Sequence, residues 1–206
     1  MALQGIVVTW ISLVHAQSFE DLQIAIEKAE AHKVEALLDR GMDPNTTDGS
    51  GMTVLMKAAR LGHPEIVQLL LARKASVARQ APSGDTALMH GCLGGNLEVV
   101  RLLLDAGARV NQPGWTPLHY AAFGGSGPIV KLLLERGAEI NALAPNSYTP
   151  VMVAARNGNR DAARELIAAK ADLDHRGTRG ESALKISVTS DHKEVADLLR
   201  KAGATE

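Results

Sequence analysis

A unit of about 33 residues recurs along most of this chain and limits the folds that it can adopt. Five segments align on one hydroxyl residue, called the anchor here, with offsets of 33, 30, 33 and 33 residues between them. The anchors are Thr53, Thr86, Thr116, Thr149 and Ser182. A unit this short cannot bury its apolar face alone, so consecutive units must stack against one another. The repeat therefore predicts one elongated array.

Each unit carries the signals of two short helices. In the unit of Thr116, the anchor hydroxyl can accept hydrogen bonds from the free N–H groups at a helix start. Pro117 follows at the helical position that tolerates proline best, and the small pair Ala121-Ala122 predicts a close approach between neighbouring units. Gly125 and Gly137 stand where left-handed residues would end the first and the second helix. Each unit is therefore predicted to be a helix pair.

Some units depart from this pattern. Lys74 and Lys170 replace the glycine that ends the second helix elsewhere, so each is expected to adopt a strained backbone or to end its helix differently. The stretch 111–116 has three residues fewer than the equivalent stretch 141–149, which predicts one blunted loop. In the last unit Asp191 stands in place of a helix-ending glycine among many charged residues. We interpret that unit as a polar C-terminal cap.

The pattern resembles the ankyrin repeat. The residues that carry the resemblance are T-P-L-H-Y-A-A from Thr116 to Ala122, the Gly62-His63 pair and the recurring run L-L-L-x-x-G-A. The resemblance covers about residues 18–206 and implies an all-α, ankyrin-repeat solenoid of helix-turn-helix units with projecting β-hairpin loops. It also implies that His90 and His119 hold the family's histidine position, where the imidazole bonds the neighbouring turn.

The expected organisation is a repeat domain at 17–206 that follows a leader. The domain divides into an N-terminal capping unit 18–45, repeats 46–78, 79–111, 112–141 and 142–174, and a C-terminal capping repeat 175–206. The capping unit matches only the second half of the repeat, in the sequence AEAHKVEALLDRGMDPN.

The first residues differ from the rest of the chain. An apolar stretch runs from Ile6 to Val14, and Val14-His15-Ala16 is typical of a cleavage point before Gln17. We therefore predict a signal peptide at 1–16 and an exported, periplasmic protein, and SFEDLQIAIEKAE with its D-P-N turn resembles exported bacterial ankyrin proteins. The stretch is too short to span a bilayer, so no membrane insertion of the mature chain is expected. No Lys or Arg precedes Lys28, which leaves open an extra helix or a misassigned start in a cytoplasmic protein.

Composition and motifs speak against several function classes. A formal net charge of −1 provides no basic field for phosphates, so nucleic acid is not an expected partner. The single cysteine, Cys92, stands in the small-pair position and is predicted to be buried rather than nucleophilic. The sequence has no H-E-x-x-H and no paired C-x-x-C, so we expect no metal, no cofactor and no catalysis. An enzyme with a site in the groove is the remote alternative, and it would have to use the scattered acids Asp85 and Glu181.

The resemblance also locates a protein-binding surface. In this family the residue before the anchor and the two residues after the small pair face a concave groove and vary with the partner. Three of the six aromatic residues, Trp115, Phe123 and Tyr148, fall in these slots. Exposed aromatics flanked by arginines are typical of an interface hot spot. The predicted contact residues are Met52, Arg60, Leu61, Asp85, Leu93, Trp115, Tyr120, Phe123, Tyr148 and Arg156.

The sequence thus predicts a monomeric, non-catalytic scaffold that binds a protein partner in its groove, centred on repeat 112–141. A cytosolic ankyrin adaptor or inhibitor is the alternative to an exported scaffold. A different interpretation of Trp115 also remains, in which its ring folds over the blunted loop and covers its own repeat. The identity of the partner does not follow from these side chains.

Overall fold

The computed structural model describes residues 19–206, and within them it contains twelve helices and no β-strand. The helices are α1 (residues 19–27), α2 (Ala31–Asp39), α3 (Val54–Leu61), α4 (Pro64–Ala72), α5 (Ala87–Gly94), α6 (Leu97–Asp105), α7 (Pro117–Gly124), α8 (Gly127–Glu135), α9 (Pro150–Asn157), α10 (Arg160–Ala168), α11 (Ala183–Thr189) and α12 (Lys193–Lys201). The all-α solenoid is confirmed. The projecting loops carry only two isolated antiparallel bridges, Thr47 with Thr53 and Gln80 with Thr86, among the described residues.

The helices form two layers. The helices α3, α5, α7, α9 and α11 contact one another in succession, and we call them the first layer. The helices α2, α4, α6, α8, α10 and α12 do the same and form the second layer. Gly94 shows how closely the first layer packs, because a Cβ atom there would overlap the carbonyl oxygen of Arg60. A side chain at this position would collide with the backbone of the preceding repeat.

The anchors cap the first-layer helices. The hydroxyls of Thr53, Thr86, Thr116 and Ser182 each accept a hydrogen bond from the backbone N–H three residues later. This bond satisfies one of the free N–H groups at the helix start. Thr149 differs, because it makes no such bond and its buried hydroxyl has no partner among the described residues.

Left-handed residues end the helices where the sequence predicts them. Gly62, Gly95, Gly125 and Gly158 follow the first-layer helices with φ between 69° and 81°, and Asp191 takes the same role with φ of 57°. Lys74 and Lys170 both have φ of 65°, so of the two alternatives predicted for these positions the structure has the strained backbone. A side chain with a Cβ atom is disfavoured there, whereas glycine is not.

The core lies between the two layers and runs along the array as one connected cluster. One leucine of each second-layer helix from α4 onwards is fully buried at the same place in the repeat, as Leu70, Leu103, Leu133, Leu166 and Leu199. Stacking therefore supplies the burial that a single helix pair lacks.

The predicted leader at 1–16 lies outside the described residues. In residues 19–206, none of the helices combines the length and the apolar character needed to cross a bilayer.

Candidate protein-binding surface

A small open cavity lies on the first layer, at the junction of two repeats. Its volume is about 260 Å³, and we call it the pocket. The pocket is lined by Leu93 from α5, by His119, Tyr120 and Phe123 from α7, and by Trp115 from the loop before α7. Four of these five residues were predicted from the sequence, and His119 was missed as a lining residue. The structure thus brings Leu93, Trp115, Tyr120 and Phe123 together at one place.

Trp115 stands at the edge of the pocket with 38% of its surface exposed. Its ring meets His119 edge-to-face at a centroid distance of 5.3 Å and Tyr120 at 6.3 Å. Aromatic pairs favour this perpendicular arrangement. Trp115 therefore has partners within its own repeat, which agrees in part with the alternative interpretation that its ring covers that repeat. Its ring both covers part of α7 and faces solvent.

Phe123 is the most exposed aromatic residue of the pocket, with 52% of its surface accessible. It lies near the C-terminal end of α7, where Asn159 of the next repeat donates hydrogen bonds to the carbonyl oxygens of Phe123 at 2.6 Å and of Ala122 at 2.8 Å. The backbone under the ring is therefore held in place. A large apolar side chain on a fixed backbone is pre-organised for contact.

Tyr120 ties the pocket to the preceding repeat. Its hydroxyl donates a hydrogen bond to Asp85, whose second carboxylate oxygen accepts one from Ser83 at 2.8 Å. The pKa of Tyr120 is raised, first because the ring is partly desolvated and then because ionisation would break its bond to the Asp85 carboxylate. The phenol therefore stays protonated and keeps its role as donor.

His119 supports the pocket from beneath. It is fully buried, its Nδ1 accepts a hydrogen bond from the Thr116 backbone N–H, and its Nε2 lies 3.0 Å from the carbonyl oxygen of Tyr148 in the next repeat. Burial lowers the pKa of His119, because a charged imidazole would lose its hydration. The predicted bond to the neighbouring turn is therefore present.

The prediction for His90 is wrong. His90 lies one residue later in its repeat than His119 does, at the position of Tyr120, and Met89 takes the place equivalent to His119. The Met89 sulfur accepts from the Thr86 backbone N–H at 3.4 Å in place of an imidazole nitrogen. The Nδ1 atom of His90 is buried without a partner in the described part of the chain.

Tyr148 is not an exposed contact residue, and this corrects the prediction. Only 4% of its surface is accessible, and its hydroxyl donates to Glu181 in the last repeat at 2.7 Å. Its ring lies over Gly177, where an added Cβ would be only 2.9 Å from the ring carbon Cε1. Tyr148 therefore points toward the next repeat, because Gly177 leaves room for the ring and Glu181 accepts its hydrogen bond.

Glu181 is bound by two side chains. Besides the Tyr148 hydroxyl, the Nε of Arg179 donates to the same carboxylate oxygen at 3.2 Å. The Tyr148 hydrogen bond, with help from Arg179, lowers the pKa of Glu181 to about 2. Arg179 was not singled out in the sequence, since only the tertiary contact gives it this role. The group ties two repeats together and leaves Glu181 unsuited to act as a general base.

The remaining predicted residues do not line the pocket. Arg60 in α3 and Arg156 in α9 are exposed and hold the same place in their helices as Leu93 and Phe123. Leu61 is exposed beside Arg60, and Met52 and Asp85 are half-buried in the loops that precede α3 and α5. The structure thus places one arginine in the repeat before the pocket and one in the repeat after it.

Two further observations concern metal binding and the reactivity of the cysteine. Within residues 19–206, His, Cys, Asp and Glu side chains form no group of three that could hold a metal ion. Cys92 is buried as predicted, and burial raises the pKa of its thiol well above the ordinary value. A buried thiol that stays protonated is not a nucleophile.

Comparison with known families agrees with this architecture. A family model described as "Ankyrin repeats (3 copies)" matches residues 78–144 and 141–205, and a second, "Ankyrin repeats (many copies)", matches residues 37–88. The chain belongs to the ankyrin-repeat family. An ankyrin-repeat domain is in general a non-catalytic scaffold for protein–protein interaction, and its stacked units form an extended binding surface.

This ankyrin-repeat protein is similar to one solved structure over most of its length and to two plant proteins over a short segment of sequence. The crystal structure of the human ASB11 ankyrin repeat domain superposes with a TM-score of 0.82 at 26% identity, covering 89% of this chain and 84% of that one. Two plant proteins are 41% identical over 58 residues: "Probable E3 ubiquitin-protein ligase XBOS33" of Oryza sativa subsp. japonica and "E3 ubiquitin-protein ligase XBAT33" of Arabidopsis thaliana. The matched segment is 28% of this chain and 11% of each plant protein.

Proposed function

We propose that this ankyrin-repeat protein is a monomeric scaffold that grips a partner protein in the groove formed by its first layer, with the pocket at the centre. The observation that carries the proposal is the exposure of Phe123 and Trp115 beside Leu93 on one open cavity. Large aromatic residues in a pocket are the side chains most often found at interface hot spots. An apolar pocket left open to water is stabilised when a partner fills it.

The surroundings of the pocket support a binding role over a structural one. Asn159 fixes the backbone beneath Phe123, and the Asp85 carboxylate holds the hydroxyl of Tyr120. The rings are thus largely ordered before a partner arrives, which reduces the entropy cost of association. The identity with the plant ligases covers 58 residues only, so it supports the scaffold and not a ligase activity.

Site-specific photo-crosslinking tests this proposal. A photoreactive phenylalanine analogue is placed at Phe123 in one sample and at Leu143 in another, in the cells that produce the protein. Leu143 is a matched control, since it is apolar and 49% exposed but does not line the pocket. We expect a discrete adduct of higher mass from position 123 and none from position 143. Equal yields at the two positions, or no adduct at 123, would overturn the proposal.

Two further variants separate effects on partner affinity from effects on the stability of the fold. Phe123→Ala should weaken binding of the crosslinked partner by about 2 kcal/mol, some thirtyfold, as truncation of a hot-spot residue does. Because Phe123 is half exposed, its truncation should leave the melting temperature nearly unchanged. Trp115→Ala should lower both affinity and stability, because its ring also packs on His119 and Tyr120.

We also propose that the protein is exported. The support is the apolar stretch Ile6 to Val14 followed by Val14-His15-Ala16. If the segment is a signal peptide, the native protein should begin at or near Gln17 in an intact-mass measurement. Recovery of a chain that begins at Met1 from the cytosol would favour the cytosolic adaptor or inhibitor instead.

A further inference from the structure

We propose that the partner segment is an extended acidic peptide: one bulky apolar side chain enters the pocket, and carboxylates on both sides of it pair with Arg60 and Arg156. The inference rests on the proposed function and names the chemistry of the occupant. It starts from four residues that hold the same place in successive first-layer helices, seven positions after each anchor. In order along the array they are Arg60, Leu93, Phe123 and Arg156, called the surface row here.

The surface row has an apolar centre and basic ends. Leu93 and Phe123 line the pocket, whereas Arg60 and Arg156 lie one repeat away on opposite sides. All four lie on helices that contact each other in sequence. A partner that follows the array therefore meets a cation, an apolar cavity and a second cation. Such a surface should favour a partner segment that presents an acid, an apolar side chain and a second acid in this order.

Both arginines are available to a partner. They are exposed, and neither forms an ion pair within residues 19–206. By contrast, Arg136 and Arg164 of the second layer pair with aspartates at 3.0 Å. Asp85, which is bonded to the pocket residue Tyr120, accepts hydrogen bonds with both of its carboxylate oxygens, from Tyr120 and Ser83. Carboxylates from outside are therefore the complementary groups, and the guanidinium fork binds them well.

The geometry also sets the spacing in the peptide. Packed helices lie about 8–10 Å apart, so the three steps from α3 to α9 span roughly 24–30 Å. The pocket lies midway, at about 12–15 Å from each arginine by the same measure. An extended chain advances about 3.3 Å per residue, so the acidic residues should stand about four positions before and after the apolar one.

A single-stranded nucleic acid is the competing occupant, because it too uses aromatic rings and arginines. It needs a continuous basic groove that follows its phosphates. In the surface row, two apolar residues separate the only two cations, and the whole chain carries a formal net charge of −1. An acidic peptide matches this arrangement, whereas a polyphosphate backbone does not.

A random peptide library tests the inference even while the natural partner is unidentified. A phage-displayed library of random 12-residue peptides is selected on the immobilised protein at low salt, and each enriched peptide is then tested for binding to the Phe123→Ala variant. We expect a consensus with a bulky apolar residue and with Asp or Glu on both sides at about four positions. A synthetic peptide with the enriched sequence then serves as the probe for fluorescence anisotropy.

Matched variants show which contacts hold this peptide. Arg60→Gln and Arg156→Gln should each weaken binding about three- to tenfold, and high salt should do the same for the unmodified protein. Arg101→Gln is the control, because Arg101 carries the same charge on exposed surface of the second-layer helix α6. It should leave the affinity unchanged.

The outcomes separate this inference from the proposed function. Peptides that need Phe123 but bind both arginine variants normally would leave the scaffold proposal standing and overturn the acidic partner. Peptides that bind equally well to Phe123→Ala would overturn the pocket itself. Failure to enrich any peptide would exclude a linear peptide as the occupant, and tight binding of labelled oligo(dT) that competes with the selected peptide would identify nucleic acid instead.

Discussion

The hydroxyl of Tyr120 donates a hydrogen bond to Oδ1 of Asp85, which lies one repeat earlier in the chain. Tyr120 lines the pocket, and Asp85 belongs to the loop that precedes α5. One wall of the pocket thus depends on the stacking of two repeats.

Removing this hydroxyl should loosen the contact between the two repeats. Tyr120→Phe leaves the half-buried carboxylate with one partner fewer, and we expect a loss of about 1–2 kcal/mol in the free energy of unfolding. Urea denaturation measures it. Asp85→Asn keeps an oxygen that can accept the hydrogen bond from the Tyr120 hydroxyl, so it should lower the free energy of unfolding by less than Tyr120→Phe does. A Tyr120→Phe variant within about 0.5 kcal/mol of the unmodified protein, as at an ordinary surface site, would contradict this.

Leu103 is fully buried between stacked units. Leu103→Ala should therefore lower the free energy of unfolding by about 2–5 kcal/mol, through lost burial and the cavity that remains. Leu143→Ala is the matched control, because the same substitution there removes atoms that are already half in water. Its effect should stay within about 0.5 kcal/mol. Equal losses from the two substitutions would mean that stacking does not supply the stability of the array.

The left-handed backbone of Lys74 predicts a stabilising substitution. Lys74 has a φ of 65°. This conformation strains any residue that has a Cβ atom but does not strain glycine. Lys74→Gly should raise the free energy of unfolding by up to about 1 kcal/mol, after allowing for the greater freedom of glycine in the unfolded chain. Lys74→Ala removes the charge but keeps the Cβ, so it should bring no such gain. If both variants gained equally in urea denaturation, relief of charge and not of backbone strain would be the cause.

The buried His119 makes stability depend on pH. Its pKa in the folded protein lies below the unfolded value of about 6.5, because burial disfavours the charged ring. At a pH between these two pKa values, His119 is protonated in the unfolded chain but neutral in the folded protein. The stability that depends on neutral His119 is therefore complete above about pH 6.5 and is lost as pH falls below that value. The slope from one group is at most about 1.4 kcal/mol per pH unit. Urea denaturation from pH 8 to 5 measures this dependence.

The matching variant is His119→Gln, which has no group that titrates in this range. It should be less stable overall, because it loses the bonds to Thr116 and Tyr148, but its stability should change less with pH. His90 has a pKa shifted in the same direction and remains in both proteins, so the difference between the two curves belongs to His119. Parallel curves would show that His119 does not titrate between folded and unfolded states.

The repeat, the helix pairs and the residues that end the helices could all be predicted from local patterns along the chain. The Thr116 cap, the left-handed Gly125 and Lys74, and the burial of Leu103 all follow from local signals that recur in register. Each is set by a residue and its neighbours within one helix turn or one repeat, so spacing along the chain suffices to predict it. The resemblance to the ankyrin repeat, and not spacing alone, predicted that Leu93, Trp115 and Phe123 lie on one surface.

The directions of the side chains, by contrast, depend on contacts between repeats and could not be predicted in this way. Tyr148 shares its place in the repeat with Trp115, yet it is buried because Gly177 leaves room for its ring and Glu181 accepts its hydrogen bond. Both partners lie about 30 residues further along the chain. The direction of a side chain depends on which space and which acceptor the next repeat offers. Those contacts exist only once the repeats have stacked.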